Sequence, residues 1–344
     1  MTGMPRFVVG LDNGGTKNNS TVLDETGRFL IGEMIERPSR VGDGPEAAIS
    51  ALESSFDHVL AVAGVARGSV HAVGLDTPGP ASAEGVLSSK GSTNFAHIGW
   101  RGFDIRRALE QRLGLPVTYS NDGNAAALYA HHAYFGELAA ERSSVSVIIG
   151  TGLGGGVVEG GRIILGAAGM AGELGHVYIP MDGLLVDGQP TPSCNCGFVA
   201  DAESVASLAG IERNLLPFWL AQYPDHPLAS SPLGEGAKLV RSYGEGGDPL
   251  ALEIFRQQAI ALGRLFTIAN NFIDPHAYFV GGGAVEAAVS FREWFLELVA
   301  QHTVLRDEQR RSATFALVPD LDMAGARGAA IAALGSLRAD RGVE

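Results

Sequence analysis

Two glycine-rich turns, each directly after an apolar segment, are the parts of this chain best suited to bind an anion. The first lies between Leu11 and Lys17, and the second lies between Ile149 and Gly155. Consecutive backbone N–H groups in such turns converge on an anionic group. Asp12, in the first turn, is a candidate to hold Mg²⁺ through a water molecule. We therefore expect phosphate contacts from both turns, made by Gly14, Gly15, Thr16 and Lys17 and by Gly150, Thr151, Gly152, Gly154 and Gly155.

Two familiar phosphate-binding motifs do not account for these turns. Residues 150–155 match G-x-G-x-x-G, but in dinucleotide-binding proteins the third glycine begins a helix. Here residues 157–162 predict a strand, a turn and a second strand, which argues against that motif. The sequence contains no G-x-x-x-x-G-K-[ST] pattern either. Two ordinary tight turns are the alternative to two phosphate-binding turns.

A third glycine cluster, Gly281, Gly282 and Gly283, follows the apolar segment Ala277–Val280. Glycine lets the backbone approach a ligand closely. We expect this cluster to lie against the adenosine part of a nucleotide. A close turn between a strand and the following helix is the alternative.

Asp122 is the candidate for proton transfer. It follows a predicted strand and stands near the start of an alanine-rich helix, where amides and the helix dipole should keep it ionised. A carboxylate within hydrogen-bond reach of a hydroxyl can accept its proton as the oxygen attacks. Asn121 or Asp122 can equally serve as the cap of this helix. The residues alone leave catalysis and capping open.

The elements that position these residues alternate between strands and helices, which predicts an α/β fold. The two glycine turns each follow an apolar strand and precede a second strand, which indicates a duplicated fold. We predict two domains, residues 1–122 and 123–323, with a hinge near residues 120–124 and a C-terminal helix 324–337 that packs back onto the first. Three predicted elements matter below, namely a strand Phe29–Glu36, a strand Gly156–Glu159 and a helix Ala284–Val299.

Composition limits the possible partners. The 344 residues carry a net charge of −13, with no basic run, so neither nucleic acid nor an anionic membrane is an expected partner. Neither a membrane span nor a signal peptide is predicted. Cys194 and Cys196 are too few for a disulfide framework, which favours the reducing cytoplasm.

Together these segments resemble the ROK family of sugar kinases, which have the actin/hexokinase/Hsp70 ATPase fold. Further matching segments are residues 120–126, 171–176, 194–197 and 274–283. The resemblance implies two similar actin-like (ribonuclease H-like) domains around a central cleft. It also implies that Asp122 is the general base. Sugar contacts are implied at Asn94, Asn121, Asp122, Glu173, His176 and Glu203.

The resemblance also implies a structural zinc site, from which this sequence departs. Family enzymes commonly use one His and three Cys, in a run spaced C-x-C-G-x-x-G-C-x-E. Here Asp201 replaces the third cysteine. Aspartate also ligates zinc. The expected ligands are therefore His176, Cys194, Cys196 and Asp201, with two metal-free loop cysteines as the alternative.

The implied function is ATP-dependent phosphorylation of a hydroxyl of glucose or a similar hexose, with Mg²⁺. The alternatives are a kinase for another polyol, such as an amino sugar, mannose, fructose, allose or a cyclitol, and a non-catalytic sugar-binding regulator. Polyphosphate is an alternative donor. Some family members are repressors with an N-terminal winged helix, but here the first strand begins near residue 7, so we expect the enzyme branch. A homodimer or homotetramer is also implied.

Overall fold

The computed structural model describes residues 6–79, 81–89 and 95–339. Its strands are β1 Phe7–Asn13, β2 Lys17–Asp24, β3 Ile35–Pro38, β4 Val70–Thr77, β5 Val117–Asn121, β6 Ser143–Ile149, β7 Leu153–Glu159, β8 Arg162–Ile163, β9 Ala277–Gly282 and β10 Thr314–Leu317. Its helices are α1 Pro45–Ala63, α2 Ile105–Leu113, α3 Asp122–Phe135, α4 Leu208–Gly210, α5 Leu216–Gln222, α6 Leu233–Glu245, α7 Pro249–Ile273, α8 Val289–Gln301, α9 Asp307–Arg310 and α10 Leu321–Ala339.

The chain forms two compact units. Unit 1 comprises Met1–Ala140, Val158–Gly172 and Asp320–Glu344, and unit 2 comprises Glu141–Val157 and Glu173–Pro319. The domain boundary between residues 122 and 123 and the nearby hinge stay predictions. The compact unit that contains β1 extends through α3 to Ala140.

In unit 1, a five-stranded sheet has the order β3-β2-β1-β4-β5. β1 pairs antiparallel with β2 and parallel with β4. One face of the sheet buries Val9, Leu11 and Val73 in a core that includes Leu52 and Phe56 of α1. Alternate residues point to opposite faces of a strand, so Asp12 and Asp76 face away from α1.

The opposite face of this sheet is covered by α10. Val8, Leu23 and Ala72 pack there with Ala330 and Ala333. The contact is close because glycines line it: a Cβ added at Gly74 would lie 1.9 Å from the carbonyl oxygen of Ala329. The small residues of α10 therefore seat the helix directly on β1 and β4.

The second sheet has the order β10-β9-β6-β7-β8. With its strands numbered from β6, this is the order of the first sheet in reverse. The match confirms the predicted duplicated α/β fold. β6, β9 and β10 are parallel neighbours, and the ring of Tyr278 in β9 lies 5.0 Å from that of Phe266 in α7.

Three predicted elements were wrong in their bounds. Within the predicted strand Phe29–Glu36, only the end from Ile35 belongs to a strand, which continues to Pro38. Phe29 forms a single isolated bridge with Leu23 instead. The strand predicted to begin at Gly156 begins at Leu153, because its glycines permit a close approach to β6 rather than a turn: a Cβ on Gly155 would lie 2.5 Å from the oxygen of Ser146. The helix predicted from Ala284 begins at Val289.

The described part of the chain holds no helix with the length and apolarity needed to cross a bilayer.

Candidate active site

Asn19, Asp12 and Asp76 form a row across three neighbouring strands of unit 1. Asp12 in β1 is the register partner of Asn19 in β2 and of Asp76 in β4. Neighbouring strands lie about 4.8 Å apart, so side chains on one face are adjacent. Asn19 Nδ2 donates a hydrogen bond of 3.3 Å to Asp12 Oδ2. We call these three residues the oxygen row.

Helix α10 passes over the oxygen row at Gly325. A Cβ added there would lie 2.6 Å from Asp76 Oδ2 and 2.9 Å from Asp12 Oδ2. Both carboxylates therefore reach the same small space against the backbone of α10. Any larger residue at position 325 must displace them.

Burial dominates the protonation of the carboxyl groups in this region. It raises the pKa of Asp12 to about 6, while the hydrogen bond from Asn19 lowers it and the charge of Asp122 raises it further. Burial also raises the pKa of Asp76 well above its ordinary value, and the charges of Asp12 and Asp122 add to the effect. Like charges this close destabilise the fully ionised state.

Asp122 is not the cap of α3. Asn121 is the cap, since its Oδ1 accepts a 2.8 Å hydrogen bond from the backbone N–H of Asn124. Asp122 Oδ1 accepts a 2.9 Å bond from the N–H of Gly123. The side chain is solvent-exposed yet has many protein atoms around it, and this partial loss of water raises the pKa of Asp122 although its backbone hydrogen bonds lower it. The backbone N–H groups at the helix start favour the ionised form, as expected, while the loss of water acts in the opposite direction.

The first glycine turn joins β1 to β2. The N–H of Gly14 donates to the carbonyl of Lys17 over 3.0 Å, and Gly15 and Thr16 are exposed at its tip. Lys17 Nζ lies 2.5 Å from Glu36 Oε2. The lysine is thus held by a carboxylate on β3, while the tip of the turn is open to a ligand.

The second glycine turn joins β6 to β7, and the third glycine of the motif begins no helix, as predicted. Glu203 supports the turn: its Oε2 accepts a 2.8 Å hydrogen bond from the N–H of Leu153. The backbone carbonyls of Gly150 and Thr151 accept bonds from residues at the start of α4. Of the predicted turn residues, Gly150, Thr151 and Gly154 are exposed, while Gly152 lies beside Glu203 and Gly155 is buried.

Unit 2 contains a cavity of about 260 Å³ beside this turn. Its apolar wall includes Ile211 and Phe255, and polar groups come from Lys238, Arg241 and Gln258. The two glycine segments meet here, since the complete lining is Ile149, Gly150, Thr151, Leu208, Ile211, Ala237, Lys238, Arg241, Phe255, Gln258, Gly283 and Ala284. Apolar pockets with a few placed polar groups are typical ligand sites.

The third glycine cluster divides between packing and the cavity. Gly282 has a φ of +95°, and a Cβ there would lie 2.3 Å from the oxygen of Ile149, so only glycine fits between β9 and β6. Gly281 is packed against Val318 and Ile148. Of the three, Gly283 lines the cavity.

His176, Cys194, Cys196 and Asp201 lie together as a group able to hold one metal ion. His176 Nδ1 is 3.2 Å from Asp201 Oδ2 and 3.6 Å from Cys196 Sγ, and the two sulfurs are 3.2 Å apart. These separations suit a tetrahedral site with bonds of about 2.0–2.3 Å. Burial raises the pKa of the Cys194 thiol, and Glu203 Oε1 accepts its hydrogen bond over 3.1 Å. One glutamate therefore links the metal-ligating group to the second glycine turn.

The other predicted sugar contacts lie in different surroundings, and one of them is not described by the structure. Asn94 lies outside the described residues. Glu173 is the residue before a single helical turn, Leu174–His176, and His176 ends that turn. The side chains of Asn121 and Glu203 are committed to the helix cap and the glycine turn described above.

Sequence reasoning missed Asp76 and the polar wall of the cavity. Asp76 stands at the end of a predicted buried strand, but its place beside Asp12 follows only from the pairing of β4 with β1. Lys238 and Arg241 had no sequence signal, since α6 was not predicted.

The sequence profile of the ROK family matches residues 8–335. The chain belongs to the ROK family. A ROK hexokinase structure from Thermus thermophilus has a TM-score of 0.74 and 31% identity, covering 97% of this chain and 99% of that one. The resemblance and the actin-like fold class are thereby confirmed.

Two further relatives carry functional names. A glucokinase from Halalkalibacterium halodurans is 31% identical over 302 residues, which are 86% of this chain and 85% of the relative. The structure of a ROK family glucokinase from Streptomyces griseus, in complex with glucose and AMPPNP, has a TM-score of 0.65 and 28% identity. It covers 95% of this chain and 99% of that one.

Proposed function

We propose that this chain transfers the γ-phosphoryl group of ATP to a hydroxyl of glucose or a similar hexose. The chain is an ATP-dependent sugar kinase, as its relatives are. The observation that supports the mechanism is at the start of α3. Asn121 caps the helix, so the exposed carboxylate of Asp122 is left for a substrate.

In this proposal Asp122 is the general base. Its carboxylate accepts the proton of the sugar hydroxyl as that oxygen attacks the γ-phosphorus, and the bond from phosphorus to the β,γ-bridging oxygen breaks. The partial loss of water around Asp122 raises its pKa, which makes the carboxylate a stronger base than an ordinary aspartate. Phosphoryl transfer otherwise depends on positioning and charge stabilisation.

The nucleotide sites are assigned by chemistry. The cavity beside Gly150 and Gly283 suits an adenosine, since Phe255 and Ile211 offer apolar contact that polyphosphate cannot use. The other backbone N–H groups at the tips of both glycine turns suit the phosphates, since those of Gly14 and Gly150 donate within the turns. Asp12 has the oxygen ligands that Mg²⁺ prefers. When bound, Mg²⁺ neutralises charge on the phosphate oxygens.

The group His176, Cys194, Cys196 and Asp201 is proposed as a structural zinc site. Its donor types and separations support this assignment, and an oxygen ligand in place of a thiolate should weaken the affinity. Reduced cysteines and ATP as donor are both consistent with the cytoplasm as the proposed compartment.

The acceptor is tested by a panel of glucose, mannose, fructose, allose, N-acetylated amino sugars and a cyclitol in a coupled ADP assay, with ATP and polyphosphate as donors. We expect glucose or a close relative to give the highest kcat/KM with ATP. Sugar binding without ADP release from any member would favour the regulator instead.

The base is tested with Asp122→Asn. We expect kcat to fall by roughly a hundredfold or more, while calorimetry still detects sugar binding. Asp104→Asn is the matched control, because Asp104 caps α2 by accepting from the N–H of Arg107. Near-normal turnover in Asp122→Asn would mean that another group takes the proton.

A further inference from the structure

The oxygen row contains a carboxylate that the proposed phosphoryl transfer does not use. Asp76 is 2% exposed, and its Oδ1 has no hydrogen-bond partner. An ionised carboxylate this deeply buried is costly unless it is paired. Proteins rarely leave such an atom without a partner, which points to a bound proton or a bound cation beside it.

The neighbours of Asp76 make a cation the fitting occupant. Asp12 is its register partner, and the Oδ2 atoms of the two carboxylates approach one point, since they lie 2.6 Å (Asp76) and 2.9 Å (Asp12) from the position of a Cβ added at Gly325. On the other side of Asp12, Asn19 donates through Nδ2, while its Oδ1 is also buried without a partner. The row therefore offers two carboxylates and one free amide oxygen. Sets of oxygen ligands select hard cations such as Mg²⁺ and Mn²⁺.

We propose that Asn19, Asp12 and Asp76 bind one divalent cation directly, in the absence of nucleotide. The site differs from a water-mediated contact by Asp12 alone, because Asp76 and Asn19 become ligands. We assign this cation the role of placing positive charge in unit 1 before the phosphates bind, and this role rests on the proposed function. The binding itself does not.

Mn²⁺ titration of the nucleotide-free, full-length protein tests this proposal. One equivalent of zinc is supplied first, so that the His/Cys group is filled, and free Mn²⁺ is followed by electron paramagnetic resonance. We expect one Mn²⁺ site in the wild type, weakened roughly tenfold or more in Asp76→Asn. Asp43→Asn is the matched control, since Asp43 is an exposed carboxylate paired with Arg40, and its Mn²⁺ affinity should equal that of the wild type.

A second readout is thermal stability. Mg²⁺ should raise the Tm of the wild type, because a ligand that binds only the folded state stabilises it, and should leave Asp76→Asn unchanged. If Asp76→Asn does not fold, Asn19→Asp replaces it, and its additional carboxylate should tighten Mn²⁺ binding. An Asn19→Asp affinity no tighter than that of the wild type would count against the site.

Wild-type protein that binds no Mn²⁺, or an Asp76→Asn variant that binds it normally, overturns the proposal and leaves a carboxyl pair that holds a proton. Sugar-dependent ADP formation is measured on the same samples. Mn²⁺ binding that depends on Asp76 but comes without phosphorylation of any sugar would support the site and reject the proposed function. Phosphorylation of a sugar without Asp76-dependent Mn²⁺ binding would support the proposed function and reject the cation site.

Discussion

Gly325→Ala should disturb the phosphate-binding side of unit 1 while the fold remains intact. The new Cβ would lie 2.6 Å from Asp76 Oδ2 and 2.9 Å from Asp12 Oδ2, whereas ordinary contact begins at 3.4 Å. The two carboxylates must therefore retreat by about 0.8 Å and 0.5 Å. A displacement of about 1 Å at a reacting site costs on the order of a hundredfold in rate, so we expect kcat to fall roughly ten- to a hundredfold.

Gly335→Ala is the matched control, because it lies in the same helix and an added Cβ there meets nothing within 4 Å. It should gain up to about 1 kcal/mol of stability from helix propensity and keep its kcat. Gly325→Ala should be stabilised less, because the free energy needed to displace the two carboxylates offsets part of the gain in helix propensity. The coupled ADP assay gives kcat, and thermal unfolding gives stability. A Gly325→Ala kcat within twofold of the wild type would refute the reasoning, as would an equal loss in both variants.

Three further outcomes are expected. Gly74→Ala should lower the free energy of unfolding by about 3 kcal/mol or more, because its Cβ would lie 1.9 Å from a backbone oxygen of α10; urea unfolding with an unchanged midpoint would show that the helix can shift freely. Burial lowers the pKa of His132, so the folded protein binds fewer protons than the unfolded one, and stability should be lost as the pH falls below about 6.5. The Tm should therefore fall less steeply from pH 7.5 to 5.5 in His132→Gln, which keeps a hydrogen-bond donor to the carbonyl of Gly161. Equal slopes in the two proteins would contradict this. Protein purified without added zinc should contain about one zinc per chain and lose Tm on chelation, and Asp201→Cys should slow the chelation; metal analysis near zero would exclude the site.

The strand–turn–strand units were predictable because their signal is local. The segments Phe7–Asn13 and Ser143–Ile149 are each followed directly by glycines, and both form strands that lead into turns. The predicted bounds of a strand were wrong where a glycine permits close packing instead of a turn. At Gly155 it permits two strands to approach, a tertiary reason that a sequence pattern does not contain.

The candidate site was predictable to the extent that its residues stand in recognisable motifs. Asp122 and the group of His176, Cys194, Cys196 and Asp201 were predicted in this way, and the capping role of Asn121 needed the structure to decide it. Asp76 shows the opposite case. Its importance arises from register, because only strand pairing reveals that it stands beside Asp12.

The discontinuity of unit 1 has a consequence for synthesis. Helix α10, which covers β1 and β4, is translated after all of unit 2. During elongation at the ribosome, the nascent first sheet must wait with one apolar face bare until the last part of the chain emerges. Unit 2 can complete its native contacts earlier, so the order of folding should run against the usual rule that the N-terminal domain is first.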